Sequence, residues 1–351
     1  MSGQETNAPS VIAPPPPSKR IASIDQLRGY AIFGMILVNY LGHFQCMPWI
    51  LKHHKNGFSY ADTIAPLFIF VVGMGFRLSL ARRIEKLGLW QARWSALKRY
   101  IVLFLVGVAF YGPAMRIDWW DALTDIALAG VLALPFIDKK TPARVAAAIG
   151  YLAIYMVLYM GTAYGTSFMH RSMNGGPLGP FSWAFILLFG TIAYDLIKTG
   201  EPRNIVKWSL IWGIGWCVLG WITYKAIPVD WAGYGERYGA YWAFSKRWCI
   251  APSMMLATGL CFLTFLLFYI ICDVWGFRFP HLTILGMNPL VIYLVQYSLQ
   301  EMNHAYVSTK WLGGLSTGAQ VSVALVGYVI FYMACYAVAR WLHNQKVVLR
   351  L

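Results

Sequence analysis

Long apolar stretches alternate with short polar ones along almost the whole chain. About ten of these stretches approach the roughly 20 residues that an α-helix needs to cross a lipid bilayer. They lie near 26–46, 61–81, 99–115, 120–137, 143–163, 181–198, 205–224, 249–272, 283–302 and 319–342. The pattern therefore predicts an all-α polytopic membrane protein with about ten transmembrane helices.

The polar stretches between these helices predict how the rest of the chain is organised. Residues 1–20 are polar and include a run of four prolines, so we expect a disordered cytoplasmic tail, with 21–351 forming the transmembrane domain. Segment 82–99 carries seven charges and predicts an amphipathic cytoplasmic connection. Asn288 followed by Pro289 inside an apolar run predicts a helix start or break.

Composition agrees with this pattern and adds an orientation. With 58% hydrophobic and 12% charged residues, the chain is too apolar for a soluble domain. A net charge of +15 does not indicate a nucleic-acid partner, because the basic residues are spread over loops. Most of the 29 Lys and Arg residues fall on one side if both termini are cytoplasmic, and this topology is therefore predicted.

The six cysteines lie mostly in apolar stretches and form no CxxC pair. They are typical of small buried side chains, so neither a disulfide framework nor a metal site is expected.

Ionisable residues cluster around the second apolar stretch. His53 and His54 precede it, Asp62 stands at its start and Arg77 lies near its far end. The predicted topology places both histidines and Asp62 on the outer side. Ionisable groups at membrane depth are costly and usually functional, so these residues are candidates for a site.

The first apolar stretch carries a second polar set. Asp25 and Arg28 share a helical face at its start, and Asn39 follows Arg28 after eleven residues, about 16 Å along a helix. A structural interpretation is also open: Asp25 pairs with Arg28 as a cap, and Asn39 bonds a neighbouring helix.

A histidine beside a carboxylate is the usual arrangement of a general base, because the carboxylate orients the ring and stabilises its protonated form. A proton-coupled transporter or exporter of a small polar or lipid-linked solute would need the same residues. Spacing alone does not separate the enzyme from the transporter.

Several motifs resemble the heparan-alpha-glucosaminide N-acetyltransferase family and its bacterial relatives. The similarity runs in order through SIDQLRG at 23–29, AIFGMILVN at 31–39, NGFSYADTIAPLFIFVVGMGFRLSL at 56–80, GGPLG at 175–179 and GMNPLVIY at 286–293. It implies a multi-pass acyltransferase of the inner (plasma) membrane that moves acetyl from cytosolic acetyl-CoA to a sugar or glycan acceptor outside. It also implies a homodimer in the lipid bilayer. An O-acyltransferase would share the donor and differ in the acceptor.

The resemblance also assigns residues. It implies a catalytic set of Asn39, Asp62 and a histidine, which acts directly or through an acetyl-histidine. HHKNG is one residue shorter between histidine and glycine than in relatives, so His53 and His54 both stay candidates, with His53 preferred. Contacts to the acetyl-CoA donor are expected from the residues at the cytoplasmic side, namely Asp25, Arg28, Arg77 and Asn288.

Overall fold

The computed structural model describes residues 21–54, 57–112, 120–165, 174–226, 244–245, 247–306 and 311–348. The predicted tail 1–20 lies outside these ranges. The α-helices within them are α1 (Ala22–Leu41), α2 (Ala61–Leu87), α3 (Leu89–Tyr111), α4 (Ala122–Ala133), α5 (Thr141–Gly161), α6 (Gly179–Lys198), α7 (Pro202–Ala226), α8 (Ala251–Tyr269), α9 (Pro280–Met287), α10 (Pro289–Tyr306) and α11 (Thr317–Asn344).

The regular structure of the described residues is helical, as predicted for a multi-pass membrane protein. Within the described ranges, seven helices are long and apolar enough to cross a membrane, and the bent pair α9–α10 makes up to eight. The 12 residues of α4 span only about 18 Å, short of a hydrocarbon core of about 30 Å. The number of ten crossings therefore stays a prediction.

Two predicted connections differ from the observed ones. Segment 82–99 is not a loop, because α2 continues to Leu87 and α3 begins at Leu89, with Gly88 alone between them at φ +80°. The stretch 283–302 is not one straight helix, because α9 and α10 meet at 89° beside Asn288. The break that the Asn-Pro pair predicted is thus confirmed.

Helix α6 forms the centre of the bundle and packs against α2, α4 and α5. Its backbone touches that of α2 at two glycines. A Cβ on Gly73 would lie 2.1 Å from the Leu187 carbonyl oxygen, and one on Gly190 would lie 2.0 Å from that of Phe70. Only glycine permits so close an approach of two helix backbones. The contact holds α2, which contains the second apolar stretch, against α6.

Helix α1 is held at its start and near its middle. At its start, the Asp273 carboxylate accepts hydrogen bonds from the backbone N–H groups of Ala22 and Ser23, at 3.1 and 3.3 Å. Near its middle, Gly29 lies against the backbone of Leu282 on α9. The polar residues of α1 are therefore held in a defined position relative to α9 and α10.

Candidate active site

His53 and Asp62 form a close pair at the start of α2. The His53 Nδ1 lies 2.9 Å from the Asp62 Oδ1. The carboxylate is fully buried, whereas the imidazole is 39% exposed. Because a carboxylate only accepts hydrogen bonds, this contact keeps the proton on Nδ1 and the lone pair on Nε2.

Ser59 holds the Asp62 carboxylate in place. Its backbone N–H donates to Oδ2 at 3.0 Å, and its single hydroxyl proton is shared between Oδ2 at 3.2 Å and the Lys52 carbonyl. The same hydroxyl lies 2.7 Å from the Lys52 carbonyl oxygen, which closes the loop that carries the histidines. Asp62 also lies in the first turn of α2, where the helix dipole favours a negative charge. The acid is thus rigid before any ligand binds.

His54 has a different environment from its neighbour. Its Nε2 lies 2.9 Å from the Trp49 carbonyl oxygen, and its ring stacks on the Trp49 indole with centroids 4.4 Å apart. Of the two candidate histidines, His53 is the one that the structure pairs with the buried acid.

Asn39 lies between Gly34 and Gly42, two positions at which the α1 segment approaches the start of α2 and the histidine loop. A Cβ on Gly34 would lie 2.5 Å from Ile64 and 3.3 Å from the Tyr60 hydroxyl near the start of α2, and one on Gly42 would lie 2.9 Å from the Leu51 carbonyl oxygen of the histidine loop. The structure therefore places Asn39 at the end of α1 that lies near the His53–Asp62 pair.

The Asn39 side chain bonds a neighbouring helix. Its Nδ2 donates to the Oε1 of Gln296 on α10 across 3.4 Å. Its backbone carbonyl accepts from Gln300 Nε2 at 3.2 Å. The interhelical bond that a structural interpretation predicts is present, and it adds Gln296 to the site, a residue to which the sequence analysis gave no role.

Tyr60 lies at the entrance to α2 as a neutral phenol. Its hydroxyl lies 3.1 Å from that of Tyr30 on α1. Burial, with a further contribution from this hydrogen bond, raises the pKa of the Tyr60 hydroxyl. The group therefore stays protonated in alkaline as well as neutral buffer and adds no second negative charge beside Asp62.

The residues predicted to contact the donor fall into separate groups. Arg28 NH1 lies 3.5 Å from Asp25 Oδ1, and both side chains are partly exposed. The Arg28 guanidinium also reaches α2, where its NH2 lies 3.4 Å from the position of a Cβ on Gly75. Asn288 donates from Nδ2 to the Val347 carbonyl oxygen at 2.9 Å, tying the α9–α10 bend to the C-terminal segment.

Arg77 does not join Arg28. It makes a two-point ion pair with Asp195 of α6, at 3.0 and 3.3 Å, and donates to the Ile137 carbonyl. Arg144 of α5, which is fully buried, pairs with the same carboxylate. Positions 75 and 77 lie about 200° apart around a helix, so α2 separates the two arginines.

Asp195 and Arg144 carry a signal that sequence analysis could have used. Asp195 is the one acid within the apolar stretch 181–198, and an acid there requires a basic partner. The sequence does not say which of the arginines on other helices supplies it.

The first half of the chain, which contains the His53–Asp62 pair, matches a known protein family. The profile described as heparan-alpha-glucosaminide N-acetyltransferase, catalytic, matches residues 20–207, more than half of the chain. The chain belongs to this family. The match includes Arg28, Asn39, His53, Asp62 and Arg77, whereas Asn288 and Gln296 lie beyond it.

Individual relatives are distant. The chain is 35% identical over 68 residues to the human heparan-alpha-glucosaminide N-acetyltransferase and 33% identical over 70 residues to the mouse enzyme, covering 10% of each. It is also 33% identical over 128 residues to an uncharacterized 39.9 kDa protein from Bacillus acidopullulyticus, covering 35% of that protein and 35% of this chain. The chain is thus a multi-pass membrane protein of an acetyltransferase family, and it spans only a minor part of these relatives.

Proposed function

We propose that the protein transfers an acetyl group from cytosolic acetyl-CoA to an amino or hydroxyl group of a sugar on the opposite side of the membrane. The observation that carries the proposal is the His53–Asp62 pair, in which a buried acid holds an exposed imidazole. The pair lies within residues 20–207, which match the catalytic region of the acetyltransferase family.

His53 acts as the general base. As the acceptor nitrogen or oxygen attacks the thioester carbonyl carbon, His53 Nε2 takes its proton. The new C–N or C–O bond forms, the C–S bond breaks, and the CoA thiolate recovers the proton from the imidazolium. Asp62 stays ionised throughout and stabilises the imidazolium, while Asn39 supports the negative charge on the carbonyl oxygen.

The donor enters from the cytoplasmic side. Arg28 binds a CoA phosphate as a fixed cation, with Asp25 orienting it. The rise of about 16 Å from Arg28 to Asn39 suits the extended pantetheine arm of CoA. Asn288 and Arg77 stay predicted donor contacts, although Arg77 is already engaged by Asp195.

The proposal also includes the topology, the membrane, the oligomeric state and the acceptor. Both termini face the cytoplasm, the protein lies in the inner (plasma) membrane as a homodimer, and the outer loop presents His53 to the acceptor. The human and mouse relatives are named as glucosaminide N-acetyltransferases. An amino sugar is therefore the first acceptor to test.

The test compares the two histidines in purified protein with acetyl-CoA and glucosamine. His53→Ala should lower kcat for acetylated product about 10²- to 10⁴-fold, as expected for loss of a general base. His54→Ala should retain far more activity, because its ring bonds a backbone carbonyl instead of Asp62. Mass spectrometry of the product gives the rate, and full activity of His53→Ala would refute the assignment.

The competing function is a transporter or exporter that keeps the scaffold without the chemistry. Wild-type protein that neither binds nor hydrolyses acetyl-CoA would favour it. A product acetylated at oxygen instead of nitrogen would keep the mechanism and change only the acceptor.

A further inference from the structure

Gln296 is a buried polar side chain on α10 with 1% of its surface exposed. Its Oε1 accepts the hydrogen bond from Asn39 Nδ2. Its Nε2 is buried and has no hydrogen-bond partner within the described part of the chain. A buried amide nitrogen without a partner lowers the stability of the fold, so its presence calls for an explanation.

Another buried glutamine shows the ordinary arrangement. Gln26 is 2% exposed, donates from Nε2 to the Thr283 hydroxyl at 2.5 Å and accepts from the Phe279 backbone N–H at 3.1 Å. Both ends of that amide are satisfied by protein. Within the described residues only the oxygen of the Gln296 amide is satisfied, which leaves two N–H donors for a ligand.

These donors lie beside those of Asn39. Asn39 uses one of its two amide hydrogens for the bond to Gln296 and keeps the other. Two amide groups from α1 and α10 thus come together in a region of low dielectric. Paired N–H donors of this kind stabilise an oxygen atom on which negative charge develops.

We infer that Gln296 and Asn39 together form the oxyanion hole for the thioester carbonyl. The inference rests on the proposed acetyl transfer. When the acceptor attacks the carbonyl carbon, the π electrons move to the carbonyl oxygen, which accepts hydrogen bonds from Gln296 Nε2 and Asn39 Nδ2. When the carbonyl double bond re-forms, the C–S bond breaks, and CoA leaves as the thiolate.

A Gln296 that only positions Asn39 would have a different role from one that binds the carbonyl oxygen itself. If Gln296 served only to position Asn39, its oxygen would suffice. The buried Nε2 would then lower the stability of the fold without contributing to function. The two roles predict opposite results for Gln296→Glu, because an ionised glutamate still accepts the Asn39 bond but donates none.

The experiment measures acetyl transfer by purified wild type, Gln296→Met, Gln296→Glu and the control Gln320→Met, in alkaline buffer that keeps the new carboxyl ionised. Gln320 is a half-buried glutamine of α11 that donates to the Leu315 carbonyl, away from the pair. We expect kcat to fall about 10²- to 10³-fold in both Gln296 variants, with the KM for acetyl-CoA within about threefold of wild type.

The thermal midpoint supplies an independent readout. Gln296→Met removes a buried unpartnered donor, so its midpoint should equal or exceed that of wild type. If this variant fails to fold, Gln296→Glu alone decides the question. A kcat for Gln296→Glu within threefold of wild type would overturn the inference while leaving the proposed function intact. Absence of transfer by wild type and Gln320→Met would instead overturn both.

Discussion

His53 and His54 are identical side chains that the backbone directs to different partners. One reaches a buried carboxylate, and the other stacks on an exposed indole. Their position before an acidic helix start was readable from sequence, since Asp62 stands alone at the mouth of an apolar segment. Which ring meets Asp62 depends on the loop that Ser59 closes onto Lys52, and that contact has no sequence signature.

Asp62→Asn tests the acid without changing its volume. The two Ser59 donors would take the asparagine oxygen and turn its NH₂ group toward His53 Nδ1. That contact requires the lone pair on Nδ1 and the proton on Nε2, the wrong tautomer for a base. We expect kcat to fall about 10³-fold or more.

Ser59→Ala is the matched control for this change. It keeps the carboxylate and the backbone N–H to Asp62 Oδ2 but also removes the hydroxyl bond to the Lys52 carbonyl, so its loss of kcat should be smaller than that of Asp62→Asn without being zero. Steady-state rates of product formation distinguish the two variants. Equal activity of Asp62→Asn and wild type would show that the carboxylate does not set the histidine tautomer.

At the scale of elements, hydropathy located the helices but not their joints. Charges at 82–99 indicated where the chain leaves the membrane, yet α2 and α3 remain helical there because Gly88 alone makes the turn. The break at Asn288 was predictable because proline cannot continue the hydrogen bonding of a helix. Its angle of 89° follows from packing of α9 across α1, which sequence does not encode locally.

Gly73→Ala should disrupt the contact between α2 and α6. The new methyl group would meet the Leu187 carbonyl at 2.1 Å, and a helix backbone cannot yield as a flexible side chain does. We expect a loss of about 1–3 kcal/mol and a lower thermal midpoint in detergent. Gly215→Ala on α7, where a Cβ meets nothing within 4 Å, should leave the midpoint unchanged or slightly higher. Equal midpoints for the two variants would contradict this account.

Asp195→Asn should destabilise the joint between α2, α5 and α6. It leaves the fully buried Arg144 without its carboxylate, at a cost on the order of 3 kcal/mol. Adding Arg144→Met removes the stranded charge and should restore part of the loss. Thermal unfolding measures both effects. If Asp195→Asn instead raises the KM for acetyl-CoA and leaves the thermal midpoint almost unchanged, the result would favour a donor-binding role for Arg77, the other partner of Asp195.

At the scale of the whole molecule, the two polar groups of α1 lie toward opposite ends of that helix. Arg28 contacts α2 beside Gly75, and Asn39 lies about 16 Å farther along the same helix, near the histidine loop. Their order along α1 could be predicted from sequence because eleven residues make almost whole turns. The contribution of α10 could not, since Gln296 is more than 250 residues away from Asn39 and reaches it only through the bend at Asn288.

The proposed transfer across the membrane requires the histidine loop and the α2–α3 joint to face opposite compartments. Gln45 and Lys86 are exposed near these two places, so each can carry a single cysteine in a variant lacking the six native ones. With the joint rich in Arg and Lys, we expect an impermeant maleimide to label Gln45→Cys in intact cells and Lys86→Cys only after permeabilisation. Labelling of Lys86→Cys in intact cells would place acetyl-CoA and Arg28 in different compartments, and direct transfer from a cytosolic donor would then fail.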